Sequence, residues 1–286
     1  MMFALLFLFG LVFGSFGYVL ALRYDGNHFL LNPKVIGGRS YCPHCHKTLQ
    51  WFELIPFLSF AIQGGKCRNC KARIGFIYPI VEFLSGFLFI FVAARVQDFY
   101  GIVTGFDFWV LAVLWIAFFF ALLLLSIIDI RLGIIPDEIV VFLGVIAISI
   151  VSFTTLRFDA LFSSFFGQYS VLFGLANNPW ANHLLGAIVG MIFFGGLVML
   201  TRGKGMGMGD VKLAIPLGLL FGWPGILFLS ATAFVIGAIF GLCSMAFAKK
   251  TMKSAVSFGP FLAIVASFVF FYGLGFIDWY FRFMGL

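Results

Sequence analysis

The chain reads as an all-α polytopic membrane protein of about eight transmembrane helices, with a small cysteine-bearing module between the first two. Three observations predict this class. Of 286 residues, 63% are hydrophobic and only 10% are charged, whereas ordinary globular chains carry about 25% charged residues. Several apolar runs reach the roughly 20 residues that a helix needs to cross a bilayer. Those runs do not alternate apolar and polar positions, so a transmembrane barrel is excluded.

The elements follow in order. The first span covers about 2–22. It lacks a basic leading region and a small-residue cleavage site, so it reads as a retained span and not as a signal peptide. Residues 23–75 are hydrophilic and contain four cysteines. Within them 51–62 is apolar but too short to cross, as an interfacial or a buried helix would be. The second span is about 76–94 and the third about 108–128. A fourth, about 134–156, opens on Pro136, Asp137 and Glu138, residues suited to a helix start. A weakly charged connector, 157–180, leads to the fifth span at 182–201. The stretch 211–223 is short and contains Pro216, so it is a brief sixth span or a half-helix. The seventh is about 225–248 and the eighth about 258–277. The chain thus divides into a first helix (1–22), a cysteine module (23–75) and a transmembrane core (76–286).

The formal charge of +7 is a matter of topology, not of nucleic-acid binding. With the N-terminus outside, fifteen of the eighteen basic residues fall on inner segments, among them Arg23, Arg39, Lys66, Arg73, Lys204 and Lys249. Arg95, Arg157 and Arg282 remain outside. The excess of Lys and Arg on one side predicts eight spans with both termini on the outer side. The cysteine module, Asp129, Asp137 and Asp210 then share the cytoplasmic face.

Reduced cytoplasmic thiols in two C-x-x-C pairs argue for metal over disulfides. Cys42/Cys45 and Cys67/Cys70 have the spacing of two knuckles that aim four thiolates at one zinc ion, a closed structural site with no open position for hydrolytic chemistry. His44 and His46 are competing ligands that four cysteines make unnecessary. Cys243, inside an apolar run, reads as a small packing residue.

The membrane part holds few ionisable groups. Glu82 lies roughly 9 Å into its span at 1.5 Å per residue, and carries either a function or a structural pairing with the cysteine module. Asp129 ends an aliphatic run at a helix C-terminus, where the macrodipole disfavours a carboxylate. Asp210 follows the glycine-studded turn of Gly205, Gly207 and Gly209. That turn is either a flexible link whose Asp210 caps the next helix, or a loop opened for another backbone. Two aspartates at one membrane edge have the makings of an aspartic-protease dyad: one a base on water, the other an acid on the peptide carbonyl. Neither G-x-S-x-G nor H-E-x-x-H occurs, and no nucleotide-binding glycine motif is present.

A chain-long set of motifs then stands out. It comprises Gly14-Ser15-Phe16 with Arg23, Arg39-Ser40-Tyr41-Cys42-Pro43-His44-Cys45, and Trp51-Phe52-Glu53-Leu54-Ile55-Pro56. It continues with Gly65-Lys66-Cys67-Arg68-Asn69-Cys70, Tyr78-Pro79-Ile80-Val81-Glu82, and Ile128-Asp129 through Ile135-Pro136-Asp137. The last members are Gly205-Met206-Gly207-Met208-Gly209-Asp210-Val211-Lys212 and Phe258-Gly259-Pro260-Phe261-Leu262-Ala263. Together they resemble the type IV prepilin peptidases, membrane aspartyl proteases of the G-x-G-D type. The resemblance implies cleavage of the basic leader of type IV prepilins and pseudopilins at the cytoplasmic face of a bacterial inner membrane, in pilus or protein-secretion pathways. It implies Asp129 and Asp210 as the catalytic pair, and N-methylation of the new N-terminus with S-adenosylmethionine, in which the cysteine domain is implicated. One departure is Gly14-Ser15-Phe16-Gly17-Tyr18, whose last position usually carries Asn in that family and bears on the methyl-transfer half. The competing classes are a transporter, which the clustering of carboxylates at one face disfavours, and a non-catalytic zinc-bearing scaffold.

Overall fold

The structure, a computed structural model, describes residues 1–30, 32–102, 105–158, 178–203, 205–248 and 257–284. Most of the described residues are helical, with two isolated β-bridges and no named strand among them. The helices are α1 (Met2–Arg23), α2 (Pro33–Ile36), α3 (Leu58–Ile62), α4 (Ile77–Tyr100), α5 (Phe106–Leu132), α6 (Asp137–Arg157), α7 (Pro179–Thr201), α8 (Met208–Ala248) and α9 (Gly259–Met284). Six of them, α1 and α4 to α8, are long and apolar enough to cross a membrane. The chain forms two compact units, Met1–Ala112 and Val113–Leu286. The expected connector falls mostly outside the described residues, as do Lys204 and Lys249.

In the first unit α1 and α4 pack at backbone distance. A Cβ placed on Gly10 would lie 2.7 Å from the Gly86 Cα, and one on Gly14 would lie 2.7 Å from the Ser85 Cβ. Small residues four apart let transmembrane helices approach this closely, where dispersion and not water drives association. Tyr18 closes the lower end edge-on against Tyr78, with ring centroids 4.7 Å apart. At the end of α1, Arg23 donates to the carbonyl oxygens of Gly37, Gly38 and Arg39. It thereby satisfies the C-terminus of α2 and ties the start of the cysteine module to the first span.

In the second unit α5 and α9 interlock through aromatic rings, with Trp115 and Phe119 packed on Phe270 at 4.6 and 4.8 Å. The α7–α8 pair repeats the glycine packing of the first unit. A Cβ on Gly186 would fall onto the Gly218 carbonyl oxygen, and one on Gly218 onto that of Gly186.

The predicted sixth and seventh segments belong to one element, α8, interrupted by non-helical dihedrals at Gly222 and Trp223. The part before the break, 208–221, is about 20 Å long at 1.5 Å per residue, short of the roughly 30 Å hydrocarbon core. A break inside lipid leaves backbone groups that the protein must satisfy. Two α7 side chains do so: the Trp223 N–H donates to Asn182 Oδ1 at 3.1 Å, and Leu219 O pairs with His183 Nδ1 at 2.8 Å. Because that carbonyl can only accept, the imidazole proton sits on Nδ1. These are the two backbone groups that an uninterrupted helix would have joined to each other.

Candidate active site and metal centre

Asp129 lies in the last turn of α5 and is 4% exposed; Asp210 is the third residue of α8 and is 7% exposed. Both belong to the second unit, and their charges lie within electrostatic reach of each other. The helix start at Gly259 resolves the local puzzle of Asp129. The Gly259 N–H donates to Asp129 Oδ2 at 3.0 Å, and Ser257 Oγ donates to the Asp129 carbonyl oxygen at 2.8 Å. An unfavourable α5 C-terminus is thus offset by the N-terminus of α9, whose free amides favour an anion. Phe258 is held by Phe234 at 4.9 Å, which fixes where α9 begins.

Asp210 accepts the Gly207 backbone N–H, while its own N–H returns to Gly207 O at 3.3 Å. It therefore caps α8, as a plain interhelical turn would have it, and also faces Asp129. The glycines divide the work unequally. The left-handed backbone of this turn falls on Arg202 and Gly203, at φ 51° and 71°, and not on Gly205, Gly207 or Gly209. Gly209 is needed for close approach, since a Cβ there would meet the Ile135 Cβ at 3.0 Å. Gly205 would meet Thr201 Cγ2 at 3.1 Å, and Gly207 faces nothing nearer than 3.9 Å. Beside this contact Lys212 Nζ donates to both Asp137 oxygens at 2.8 Å, so α6 and α8 are joined two residues beyond Asp210.

Glu82, 6% exposed on α4, accepts the Phe57 N–H at 2.8 Å and a bond from the Ser15 side chain. It belongs to the first unit and fastens the apolar part of the cysteine segment to α1 and α4.

The four paired cysteines converge: their sulfurs lie within 4.8 Å of one another, with Cys42–Cys70 at 3.8 Å and Cys45–Cys67 at 4.0 Å. A tetrahedral ion with 2.3 Å arms to sulfur requires edges of about 3.8 Å, so the donor set fits a closed site. The two knuckles are built alike. Cys42 and Cys67 each donate an N–H to the carbonyl five residues on, Lys47 and Ala72, and His46 and Lys71 take matching left-handed conformations at φ 56° and 58°. The Lys47 backbone N–H, then the Asn69 side chain, bring the Cys45 thiol down to about 6. Backbone N–H bonds from Cys70 and Asn69 lower Cys67 likewise. Such amides are what a metal-bound thiolate uses. His44 and His46 are exposed and outside the sulfur cluster. Cys243, expected as a packing residue, is exposed on α8.

Sequence reasoning missed Gly259 and Ser257 as partners of Asp129, and Asn182 and His183 at the break in α8. Gly259-Pro260 was a visible helix-start signal. Asn182 and His183 are polar residues opening an apolar run, the kind that membrane helices keep only with a partner.

A family model described as the bacterial peptidase A24 N-terminal domain matches residues 8–96, and that of the type IV leader peptidase family matches residues 116–242. The chain is 31% identical over 284 residues to the prepilin leader peptidase/N-methyltransferase of Bacillus subtilis (strain 168), covering 98% of each chain. With the protein of the same name from Pseudomonas aeruginosa it shares 32% identity over 250 residues, 86% of this chain and 76% of the relative. With that of Aeromonas salmonicida it shares 28% over 246 residues, 85% and 74% respectively. No solved structure matches it. The two family matches follow one another along the chain and take in Glu82, all four cysteines and both aspartates: this protein belongs to the type IV leader peptidase family.

Proposed function

We propose that this chain is a membrane aspartyl endopeptidase that removes the leader of type IV prepilins or pseudopilins at the cytoplasmic membrane face, with Asp129 and Asp210 as its catalytic pair. The carrying observation is that two buried carboxylates from separate helices lie within electrostatic reach of each other, each held by a backbone N–H at a helix start. Two carboxylates so close do not both ionise readily, and share a proton instead. The ionised member takes a proton from water, whose oxygen attacks the scissile carbonyl carbon. The protonated member gives its proton to the carbonyl oxygen. The tetrahedral diol then collapses, the C–N bond breaks, and the amine leaves with the proton taken from the water. Asp210 sits beside a turn whose Gly207 has open space around it, which suits an extended substrate backbone.

Zinc in the Cys42/Cys45/Cys67/Cys70 site would supply a cross-link for folding, since a closed four-thiolate site has no open coordination position. Methylation of the new N-terminus with S-adenosylmethionine is carried to this chain by the names of its relatives; no residue is assigned to that cofactor. The division into a first helix, a cysteine module (23–75) and a protease core (76–286) belongs to the same reading, as does the orientation with both termini outside.

The test is co-expression with a prepilin and mass spectrometry of its N-terminus. Asp129→Asn and Asp210→Asn should each lower cleavage by about 100- to 10,000-fold while the protein remains inserted. Normal processing by either variant would remove the dyad. Silent behaviour of both would favour a scaffold. The same spectra report whether the processed N-terminus carries a methyl group.

A further inference from the structure

The stretch from Trp51 to Ile62 is the most apolar part of the cysteine segment, yet no residue of its 3-10 turn (Trp51–Glu53) or of α3 is buried. Trp51 is 76% exposed and Ile62 75%. A patch of this kind on a protein surface marks an interaction site.

Its position identifies the partner. Glu82 lies roughly 9 Å along the α4 axis from Phe76 at 1.5 Å per residue, and it holds the Phe57 N–H. The Phe57 ring packs edge-on against Phe83 at 4.5 Å, and Phe60 packs edge-on against Phe76 at 5.4 Å. The segment therefore runs alongside the first two turns of a membrane-spanning helix. Phe76, itself 74% exposed, lies at the start of α4, and Ile77 and Ile80 on its first turn are exposed as well. Whatever medium covers the α4 surface at that depth also covers the segment.

The flanking charge narrows the choice. Between residues 51 and 75 the sole acid is Glu53, whose carboxylate is taken by the Gln50 N–H. Lys66, Arg68, Lys71 and Arg73 follow directly and are exposed. Lys66 and Arg73 face each other across the second knuckle, and the Arg68 guanidinium lies 5.2 Å over the Phe52 ring. Exposed aromatic and aliphatic side chains beside a basic cluster are what the headgroup boundary of a bilayer accepts, and anionic lipid most readily. A second copy would oppose the same four cations.

We propose that residues 51–62 and the second knuckle form a membrane-surface foot, inserted at the headgroup boundary beside α4 and selective for anionic lipid. The foot anchors the cysteine site to the bilayer at a second place besides α1 and α4. This rests on the membrane reading of α1 and α4 and is independent of the peptidase assignment.

The experiment uses the full chain in vesicles of phosphatidylcholine, alone or mixed with phosphatidylglycerol, with acyl chains brominated near the headgroup. Subtracting the emission of Trp51→Phe, a change at an exposed site, isolates the Trp51 signal. Expected are a blue-shifted Trp51 component and loss of most of it to the bromines, the loss being greater with phosphatidylglycerol. Lys66→Gln with Arg73→Gln should abolish that lipid preference. A water-like, unquenched Trp51 component in both vesicle types overturns the proposal. So does shielding that grows with protein density in the membrane, which would assign the surface to a second copy, or equal quenching with and without anionic lipid, which would remove the selectivity.

Discussion

At the residue scale the unusual feature is that a main-chain amide holds the Asp129 carboxylate. Its carboxylate is oriented by a main-chain amide, Gly259 N–H at 3.0 Å, and that position has no room for a side chain: a Cβ on Gly259 would lie 2.7 Å from Asp129 Oδ2. The backbone there is not left-handed, so Gly259→Ala is tolerated by the chain and resisted by the carboxylate. We expect the variant to insert and fold, with kcat reduced on the order of 100-fold, the scale of a 1 Å misplacement of a reacting group, and KM little changed. Steady-state cleavage of a prepilin peptide in detergent measures this. Wild-type kcat would show that the amide does not set the carboxylate. Gly144 on α6, where a Cβ would meet nothing within 4 Å, serves as the control, since Gly144→Ala meets no such obstacle.

At the scale of elements, helix breaks and helix starts carry the architecture. The interruption of α8 is matched by Asn182 and His183 on α7, which take up the Trp223 N–H and the Leu219 carbonyl. Removing either partner leaves a buried backbone group unsatisfied, at a cost of about 1–3 kcal/mol. Asn182→Ala and His183→Ala should therefore each lower the thermal unfolding midpoint in detergent. Conservative Asn182→Asp, which keeps the acceptor oxygen for Trp223 N–H, should keep more of the stability than Asn182→Ala. Equal midpoints for all variants would mean that water or a shifted backbone replaces these bonds. The same pairing holds α7 and α8 at glycine-to-glycine distance, and so fixes the helix that carries Asp210.

At the scale of the whole molecule the chain builds two chemistries in two compact units, the sulfur cluster in Met1–Ala112 and the aspartate pair in Val113–Leu286. The cysteine knuckles bury little beyond Cys42 and Cys67 themselves, so their order would depend on a bound ion more than on a core. A chelator strong enough to strip zinc should raise amide exchange across residues 39–75 before it lowers cleavage. Cleavage lost at the same rate as the metal would instead place the metal in the reaction path.

The sequence by itself determined the helical membrane class and singled out the candidate cysteines and aspartates, because these depend on local quantities: apolar run length and residue spacing. Predicted spans such as 108–128 and 182–201 sit inside α5 and α7, and the boundary near residue 223 falls on the break in α8. Tertiary structure alone decided what the reactive groups face. Asp129 looked misplaced at a helix C-terminus because its compensation comes from α9, more than a hundred residues away in the chain. Glu82 was legible as a tie to the cysteine module, but not as the acceptor of the Phe57 amide. From the sequence the glycine turn before Asp210 is a matter of flexibility or of opening for another backbone. In the folded chain it is one of space, with Gly209 admitting Ile135 beside a carboxylate held by the Gly207 amide. Such facts depend on which helix ends meet, and no local pattern encodes that.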